Sequence, residues 1–226
     1  MRNDLIEFVH KRGKKFSLAT PRLVREDEKI FLAEADAIYV HNLAMLSLAK
    51  KFNAPIRTDF SLHVFNSMTI NFLKSLGVEG VTLSPELNLT QVKALAKKSS
   101  LPVECIVHGR QELMISAYCV LGSFLGGLDK KNCPHVCRGK NFFLRDRLGE
   151  LFPVVNDQFC RMHILNAKTL SMIEHRADFD GVSRIRVDCR ALTLEESARI
   201  VHAYKFGGNE IENFTRGHFF RGVIKS

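Results

Sequence analysis

Short apolar runs alternate with helical patterns along the first 110 residues, and this alternation constrains the fold more than any other feature of the sequence. The apolar runs 37–40 (AIYV) and 102–107 (PVECIV) are each followed at once by polar residues. Between such runs, Thr69, Phe72 and Leu73 share one face of a predicted helix. Strand–helix units that recur about every 20 to 25 residues predict a parallel sheet, and this period favours a barrel of the TIM type over a doubly wound sheet.

The repeat is interrupted between about residues 116 and 160. Glycines and cysteines in this stretch predict a Cys-rich loop, and the runs 141–144 and 151–155 flank a polar turn, which predicts a β-hairpin. Outside this insertion the patterns also predict helices over 26–35, 168–175 and 194–205 and strands over 162–165 and 182–187.

These elements predict an α/β protein of TIM-barrel-like repeated βα units. About seven candidate strands fall short of the eight in a complete barrel, so we expect an incomplete barrel carrying the insertion at about 116–160. Residues 1–226 are expected to form a single catalytic-type domain, equivalent to the C-terminal part of such a barrel. A partner chain or a missing N-terminal segment is expected to cover the open edge.

The charge balance favours an acidic partner. The 226 residues include 33 Lys and Arg against 24 Asp and Glu, a formal charge of +9. RNA, DNA and small anions are partners that such a surface attracts, although a solvated basic surface has the same composition. No apolar run approaches the roughly 20 residues of a membrane span, and the N-terminal residues lack the pattern of a secretory signal, so a cytoplasmic protein is expected.

Four of the six cysteines follow the pattern C-x13-C-x3-C-x22-C: Cys119, Cys133, Cys137 and Cys160. Four cysteine thiolates complete a tetrahedral zinc site or bind an iron–sulfur cluster. The alternative is that these cysteines are free or buried thiols, as cysteines in a reducing compartment often are. His135 is a possible substitute for one of the four. Cys105 and Cys189 lie in predicted strands and are expected to be small buried side chains.

Polar residues after the predicted strands provide candidates for catalysis, because active sites of βα barrels form where the strands end. The candidate catalytic residues are His63, Glu86, His108 and Arg110. Arg110, Arg138 and Arg161 are the candidate substrate-binding residues, since a guanidinium pairs bidentately with a carboxylate or phosphate. Motifs typical of serine hydrolases, zinc peptidases and nucleotide-binding proteins are missing from the sequence.

Several motifs in order resemble one known family. The string HGRQELMISAYCVLGSFLGG begins at His108, and it is followed by CPHVC, LRDRLGELFPVVND, CRMHILNA and TRGHFFRGV. Together with LATPRLVRE, DFSLHVFNS and LSPELNL upstream, they resemble the collagenase-like peptidase family of unassigned catalytic type, family 32. The resemblance covers about residues 16 to 223, although Ser61-Leu62-His63 stands where many relatives have SLN.

The resemblance implies a TIM-barrel-like catalytic domain and two kinds of activity. Some members are reported as proteases, and others resemble iron–sulfur proteins that support oxygen-independent hydroxylation of tRNA or rRNA bases or of a quinone precursor. In those members four cysteines bind a four-iron four-sulfur cluster, and the matching positions here are Cys119, Cys133, Cys137 and Cys160. Prephenate is implicated as the oxygen source in RNA-hydroxylating members.

Three hypotheses follow. The first is an iron–sulfur enzyme that hydroxylates RNA or an aromatic small molecule, with zinc as the alternative metal. The second is a peptidase, although the sequence shows no nucleophile–base pair. The third is a truncated, non-catalytic half-barrel that binds a partner.

Overall fold

The structure is a computed structural model that describes residues 2–30, 32–126, 133, 135 and 137–223, without the side chains of residues 2 and 3. The chain divides into two compact units. The first unit comprises the described residues of 1–106, 177–186 and 217–226, and the second those of 107–176 and 187–216. None of the helices in the described ranges has the length and hydropathy of a membrane span.

The first unit contains the parallel strands that the sequence predicts. Its elements are α1 (Arg2–His10), β1 (Ser17–Ala19), β2 (Ala37–Val40), α2 (Ala44–Ala49), β3 (Ile56–Thr58), α3 (Ser67–Ser75), β4 (Gly80–Thr82), α4 (Leu89–Lys98) and the first part of β5 (Val103–Gly109). β1 to β5 pair in chain order, and each of these four pairs is parallel. Most of β11 (Arg184–Val187) also belongs to this unit and pairs with β5. This confirms an α/β fold with a parallel sheet.

Local sequence explains where these helices begin. The Asn66 side chain accepts a hydrogen bond from the Thr69 amide at 2.9 Å and caps α3. Asn88 and Gln91 form a reciprocal capping box at the start of α4. Each cap lies in the connection between a buried strand and the next helix, Asn66 eight residues after the end of β3 and Asn88 six residues after the end of β4.

The helix predicted over 26–35 is wrong. The described residues of this stretch form turns and extended chain, and the Glu28 carboxylate accepts from the Arg25 amide at 2.9 Å. The apolar residues Ile30, Leu32 and Ala33 lie almost consecutively, so they cannot form one buried helical face.

The second unit contains an antiparallel sheet with the order β6–β9–β8–β7. Its elements are β6 (Glu112–Ser116), α5 (Val120–Gly126), β7 (Phe142–Arg145), β8 (Leu151–Asn156), β9 (Met162–Leu165), β10 (Thr169–Ser171), the end of β11 (Arg184–Val187), α6 (Leu194–Phe206) and β12 (Phe214–Thr215). β7 and β8 are the predicted hairpin. The Asp146 carboxylate holds its turn by accepting from the amides of Leu148 and Glu150 at 2.8 and 2.9 Å.

Three further expectations are corrected here. The helix predicted over 168–175 is wrong, because β10 pairs with the end of β5 and with β12, and pairing on both sides overrides helical propensity. The predicted loop contains helix α5, while Gly127 and Pro134 lie outside the described residues. The strands of the described residues do not form a closed barrel, since β9, expected as a barrel strand, pairs antiparallel with β6 and β8.

A buried ionic network crosses the sheet of the first unit. Arg186 on β11 lies 2.6 Å from Asp59, which follows β3, and 2.5 Å from Glu104 on β5. The Tyr39 hydroxyl donates to Glu104 at 2.7 Å, and His41 pairs with the other oxygen of Asp59. Although burial opposes ionisation, these partners hold the pKa of Asp59 well below its usual range. Removing the central cation would leave two buried carboxylates without the guanidinium that joins them.

We therefore expect Arg186→Met to lower the free energy of unfolding by about 3 kcal/mol, as for breaking a buried ion pair. Arg184→Met is the matched control, because Arg184 lies on the same strand and no ion pair is found for it among the described residues. Urea denaturation of both variants measures the difference. Equal losses in the two variants would contradict a structural role for the network.

His163 joins two strands of the second unit to the segment that follows β8. Its Nδ1 lies 2.6 Å from Glu112 on β6, and its Nε2 lies 3.6 Å from the Asp157 carboxylate. The side chain is 14% exposed, and the carboxylates of Asp157 and Glu112 raise the pKa of His163 to about 9. The imidazole is therefore a cation at neutral pH.

The stability of the folded protein should therefore depend on the protonation of His163. Because the folded pKa is raised above the ordinary 6.5, protonated His163 stabilises the fold fully below about pH 6.5, and this contribution is lost as the pH rises through about 9. The melting temperatures of the wild type and His163→Gln should differ most near pH 6 and converge above pH 9. A difference that is constant over this range would show that His163 does not act through its charge.

Candidate cysteine site and basic groove

Cys119 lies directly before α5, where its sulfur faces hydrogen-bond donors. The Gly122 amide donates to Cys119 Sγ at 3.3 Å, and the side-chain amide of Asn156 donates to the same sulfur at 3.4 Å. Amide donors directed at sulfur stabilise the negative charge of thiolates and of iron–sulfur clusters. Cys119 is therefore placed to act as an anionic ligand.

The sulfurs of Cys119 and Cys133 both lie close to Gly122. A Cβ atom on Gly122 would lie 3.5 Å from the sulfur of Cys119 and 3.6 Å from the sulfur of Cys133. The His135 amide donates to Cys133 Sγ at 3.3 Å, so the second sulfur also faces a backbone donor. The glycine leaves open a small cradle with a cysteine sulfur on two sides.

A tight turn holds Cys160. The Asp157 carboxylate accepts from the amides of Phe159 and Arg161 at 2.9 and 2.8 Å, and the Cys160 amide donates to the Asp157 carbonyl. Arg161 is 1% exposed, and its guanidinium lies 3.3 Å from the same carboxylate. Although burial opposes it, hydrogen bonding lowers the pKa of Asp157 to about 2. Cys160 adopts a left-handed backbone conformation (φ 54°) within this turn.

The chemistry of the four cysteines fits a thiolate-bound metal group. No disulfide joins the six cysteines, all of which belong to the described part of the chain. Within the described residues, no three His, Cys, Asp or Glu side chains already form a closed metal-binding group. The four thiols are the type of ligand that iron–sulfur clusters use, and amide groups donate to the sulfurs of Cys119 and Cys133.

Cys137 and Cys160 line a groove of about 770 Å³, which we call the basic groove. Its other lining residues are Arg110, His135, Arg138, Lys140, Asn141, Phe142, Phe143, Pro153, Val154, Val155, Asn156, Asp157, Gln158, Ala191, Leu192 and Thr193. Asn156 connects the groove to the sulfur of Cys119 through its hydrogen bond. The groove therefore includes two of the four cysteines and a residue that is hydrogen-bonded to a third.

The groove has a surplus of positive charge. Arg110, Arg138 and Lys140 line it, and its acidic residue Asp157 is already paired with Arg161 and His163. The Arg110 guanidinium is partly buried and donates to the carbonyls of Asn166 and Ala167, so the backbone fixes its direction. Burial lowers the pKa of Arg110 from its ordinary value.

The candidate catalytic residues lie in different units. His63 and Glu86 are exposed residues of the first unit, and His63 ends a short 3-10 turn in a left-handed conformation. His108 and Arg110 belong to the second unit. Their catalytic roles stay predictions.

His108 is fully buried. Its ring meets Tyr204 edge-on with centroids 5.6 Å apart, and its Nε2 has no hydrogen-bond partner among the described residues. Burial lowers the pKa of His108, although Glu210 and Asp188 oppose this shift, so the imidazole is neutral. A neutral ring with no access to solvent fits a positioning role better than direct contact with substrate.

Sequence reasoning missed three contributors to this site: Gly122, Lys140 and Asn156. The glycine-rich pattern predicts a loop at Gly122. However, Gly122 lies three residues after Cys119, and in a helix residues at this spacing are neighbours. Lys140 lies two residues after Arg138, a basic pair beside the cysteines that could have been recognised. No sequence signal distinguishes Asn156, because its contact with Cys119 depends on the fold.

Comparison with known proteins gives similarity to two kinds of protein. The chain is 29% identical over 224 residues to an uncharacterized protease of Methanocaldococcus jannaschii. The aligned region covers 90% of this chain and 54% of that protein. It is 23% identical over 152 residues to the 23S rRNA 5-hydroxycytidine C2501 synthase of Escherichia coli (60% of this chain, 22% of that protein). The tRNA hydroxylation protein P of Escherichia coli is 22% identical to the chain over 147 residues, which are 59% of this chain and 32% of that protein.

The chain thus spans about half the length of the archaeal relative and a third or less of the two hydroxylation proteins. No solved structure matches it significantly. The sequence model of Peptidase family U32 matches residues 3–219, nearly the whole chain. This protein therefore belongs to peptidase family U32.

Proposed function

We propose that this chain carries the cluster-binding part of an iron–sulfur enzyme that hydroxylates RNA bases. The observation that carries the proposal is the convergence of Cys119 and Cys133 on Gly122, with Cys137 and Cys160 lining the adjoining basic groove. The relatives named for rRNA and tRNA hydroxylation support the choice of RNA over a quinone precursor.

Cys119, Cys133, Cys137 and Cys160 would hold a four-iron four-sulfur cluster, which when bound supplies one-electron transfer. The chain's own residues set up its surroundings. The Gly122 and His135 amides and Asn156 donate to sulfur, while the Asp157–Arg161 pair fixes the turn that presents Cys160. In this account Arg161 is a positioning residue, because its guanidinium is buried and ion-paired.

The exposed side of the groove provides the residues that bind the substrate. Arg110 and Arg138 bind the anionic groups of the substrate or of a carboxylate oxygen donor such as prephenate. His108 positions the strand end that precedes Arg110.

At the level of the whole protein, we propose that the parallel strands form part of a TIM-type barrel completed by a partner or a further segment. The enzyme would act in the cytoplasm, where its thiols stay reduced and RNA is present. The strand-by-strand parallel pairing of β1 to β5 supports the barrel assignment.

The metal content tests the proposal. Protein purified without oxygen should contain about four irons and four sulfides per chain, with visible absorption typical of such clusters. Each of Cys119→Ala, Cys133→Ala, Cys137→Ala and Cys160→Ala should lower both contents, because each removes one ligand. Cys105→Ala is the control, since Cys105 is a buried residue of β5.

Three results would contradict the assignment. Zinc in place of iron would make the site structural or hydrolytic and would favour a peptidase, as the name of the archaeal relative suggests. Gelatin cleavage that survives replacement of all four cysteines would favour a peptidase independently. Well-folded protein without metal would favour the non-catalytic interpretation.

The cradle gives a second prediction. Gly122→Val should lower the iron and sulfide per chain, because its side chain would occupy the space between the sulfurs of Cys119 and Cys133. Ser123→Val is the control on the same helix, since Ser123 is exposed. Circular dichroism checks that both variants fold. Undiminished iron in Gly122→Val would show that the cluster does not use this cradle.

A further inference from the structure

We propose that the outer wall of the basic groove binds a single strand of RNA, with phosphates on Arg138 and Lys140 and a base stacked on Phe143. The proposal deepens the proposed function by assigning its substrate contacts, and its test is independent of the metal. It rests on the charge, the exposed aromatic ring and the strand edge of this wall.

The cations of the wall lack acidic partners. No ion pair within the described residues involves Arg138 or Lys140, and both side chains are exposed. Arg145 and Arg147 extend the basic stretch along the hairpin, where they outnumber the acidic charge that faces solvent, because Asp146 accepts bonds from its own turn and only Glu150 is exposed. Because Asp157 is paired with Arg161 and His163, it does not neutralise the groove. A polyanion neutralises this positive charge and releases its own counterions on binding, which favours the complex.

Phe143 supplies a stacking surface. Its side chain is 52% exposed although it lies in the middle of a strand, and it lines the same groove as Arg138 and Lys140. Single-stranded nucleic acids are bound by this combination of cations and exposed aromatic rings, since every base has a face that can stack. A base paired in a duplex does not offer that face.

β7 is an edge strand of its four-stranded sheet. Lysine beside an edge also protects sheets from aggregation, but that role does not explain an exposed phenylalanine on the strand itself. A small dicarboxylate would use the cations and leave the aromatic ring unoccupied. An extended peptide would use the strand edge without requiring the positive charge. A single RNA strand uses the cations and the aromatic ring together, which neither of these alternatives does.

The test is binding of a fluorescently labelled single-stranded RNA of about ten nucleotides to the full chain, measured by anisotropy over a range of salt concentrations. Arg138→Ala combined with Lys140→Ala should weaken binding and reduce the slope of log affinity against log salt by about 1.4, as for two lost phosphate contacts. Phe143→Ala should weaken binding about fivefold or more with an unchanged slope.

Matched controls separate specific contacts from general effects. Lys97→Ala with Lys98→Ala removes the same charge from α4, and Phe72→Ala removes a ring that is 54% exposed in the first unit. Both controls should bind RNA as the wild type does. Equal losses in the groove variants and the controls would overturn the proposal, as would tighter binding of an acidic peptide than of the RNA.

The failure of this proposal can be distinguished from failure of the proposed function. The same titration is run on the chain in which all four cysteines are replaced by alanine, with folding checked by circular dichroism. RNA binding that persists there supports the groove assignment whatever the metal analysis shows. Full iron content with no effect of the groove variants would overturn the RNA site alone.

Discussion

The carboxylate of Asp157 is the interaction on which the cysteine site depends most. It accepts two backbone amides, pairs with buried Arg161 and contacts the cationic His163. Several charged and polar partners around one mostly buried carboxylate fix the turn, and Cys160 lies inside that turn. A metal ligand needs this kind of support, because a loosely held thiolate binds metal weakly.

The same carboxylate also determines the character of the groove. Since its charge is used by Arg161 and His163, the remaining cations face the groove without an acidic counterpart among the lining residues that the structure describes. The first unit uses buried charge differently. There, Arg186 joins carboxylates that follow or belong to separate strands, and we assign that network to the stability of the sheet.

Periodicity and turn chemistry made much of the fold predictable. The parallel strands of the first unit, helices α3 and α4, and the β7–β8 hairpin all have strong local signals, such as the Asn88 cap and the polar turn at Asp146. The helix predicted over 168–175 was wrong because pairing of Thr169–Ser171 with strands distant in sequence decides that segment. The expectation that β9 belongs to the incomplete barrel was wrong, since β9 joins an antiparallel sheet with β6 and β8.

For the site, the spacing of Cys119, Cys133, Cys137 and Cys160 identified the cysteine set, and the family resemblance narrowed the cofactor. The sequence could not show that Gly122 separates two of the sulfurs or that Arg161 is buried, because both depend on how distant segments pack. The electron paramagnetic resonance spectrum of the anaerobically reduced protein tests the account most directly. We predict the signal of a reduced four-iron cluster that changes when single-stranded RNA is added. A folded protein that binds RNA but gives no cluster signal would contradict the account.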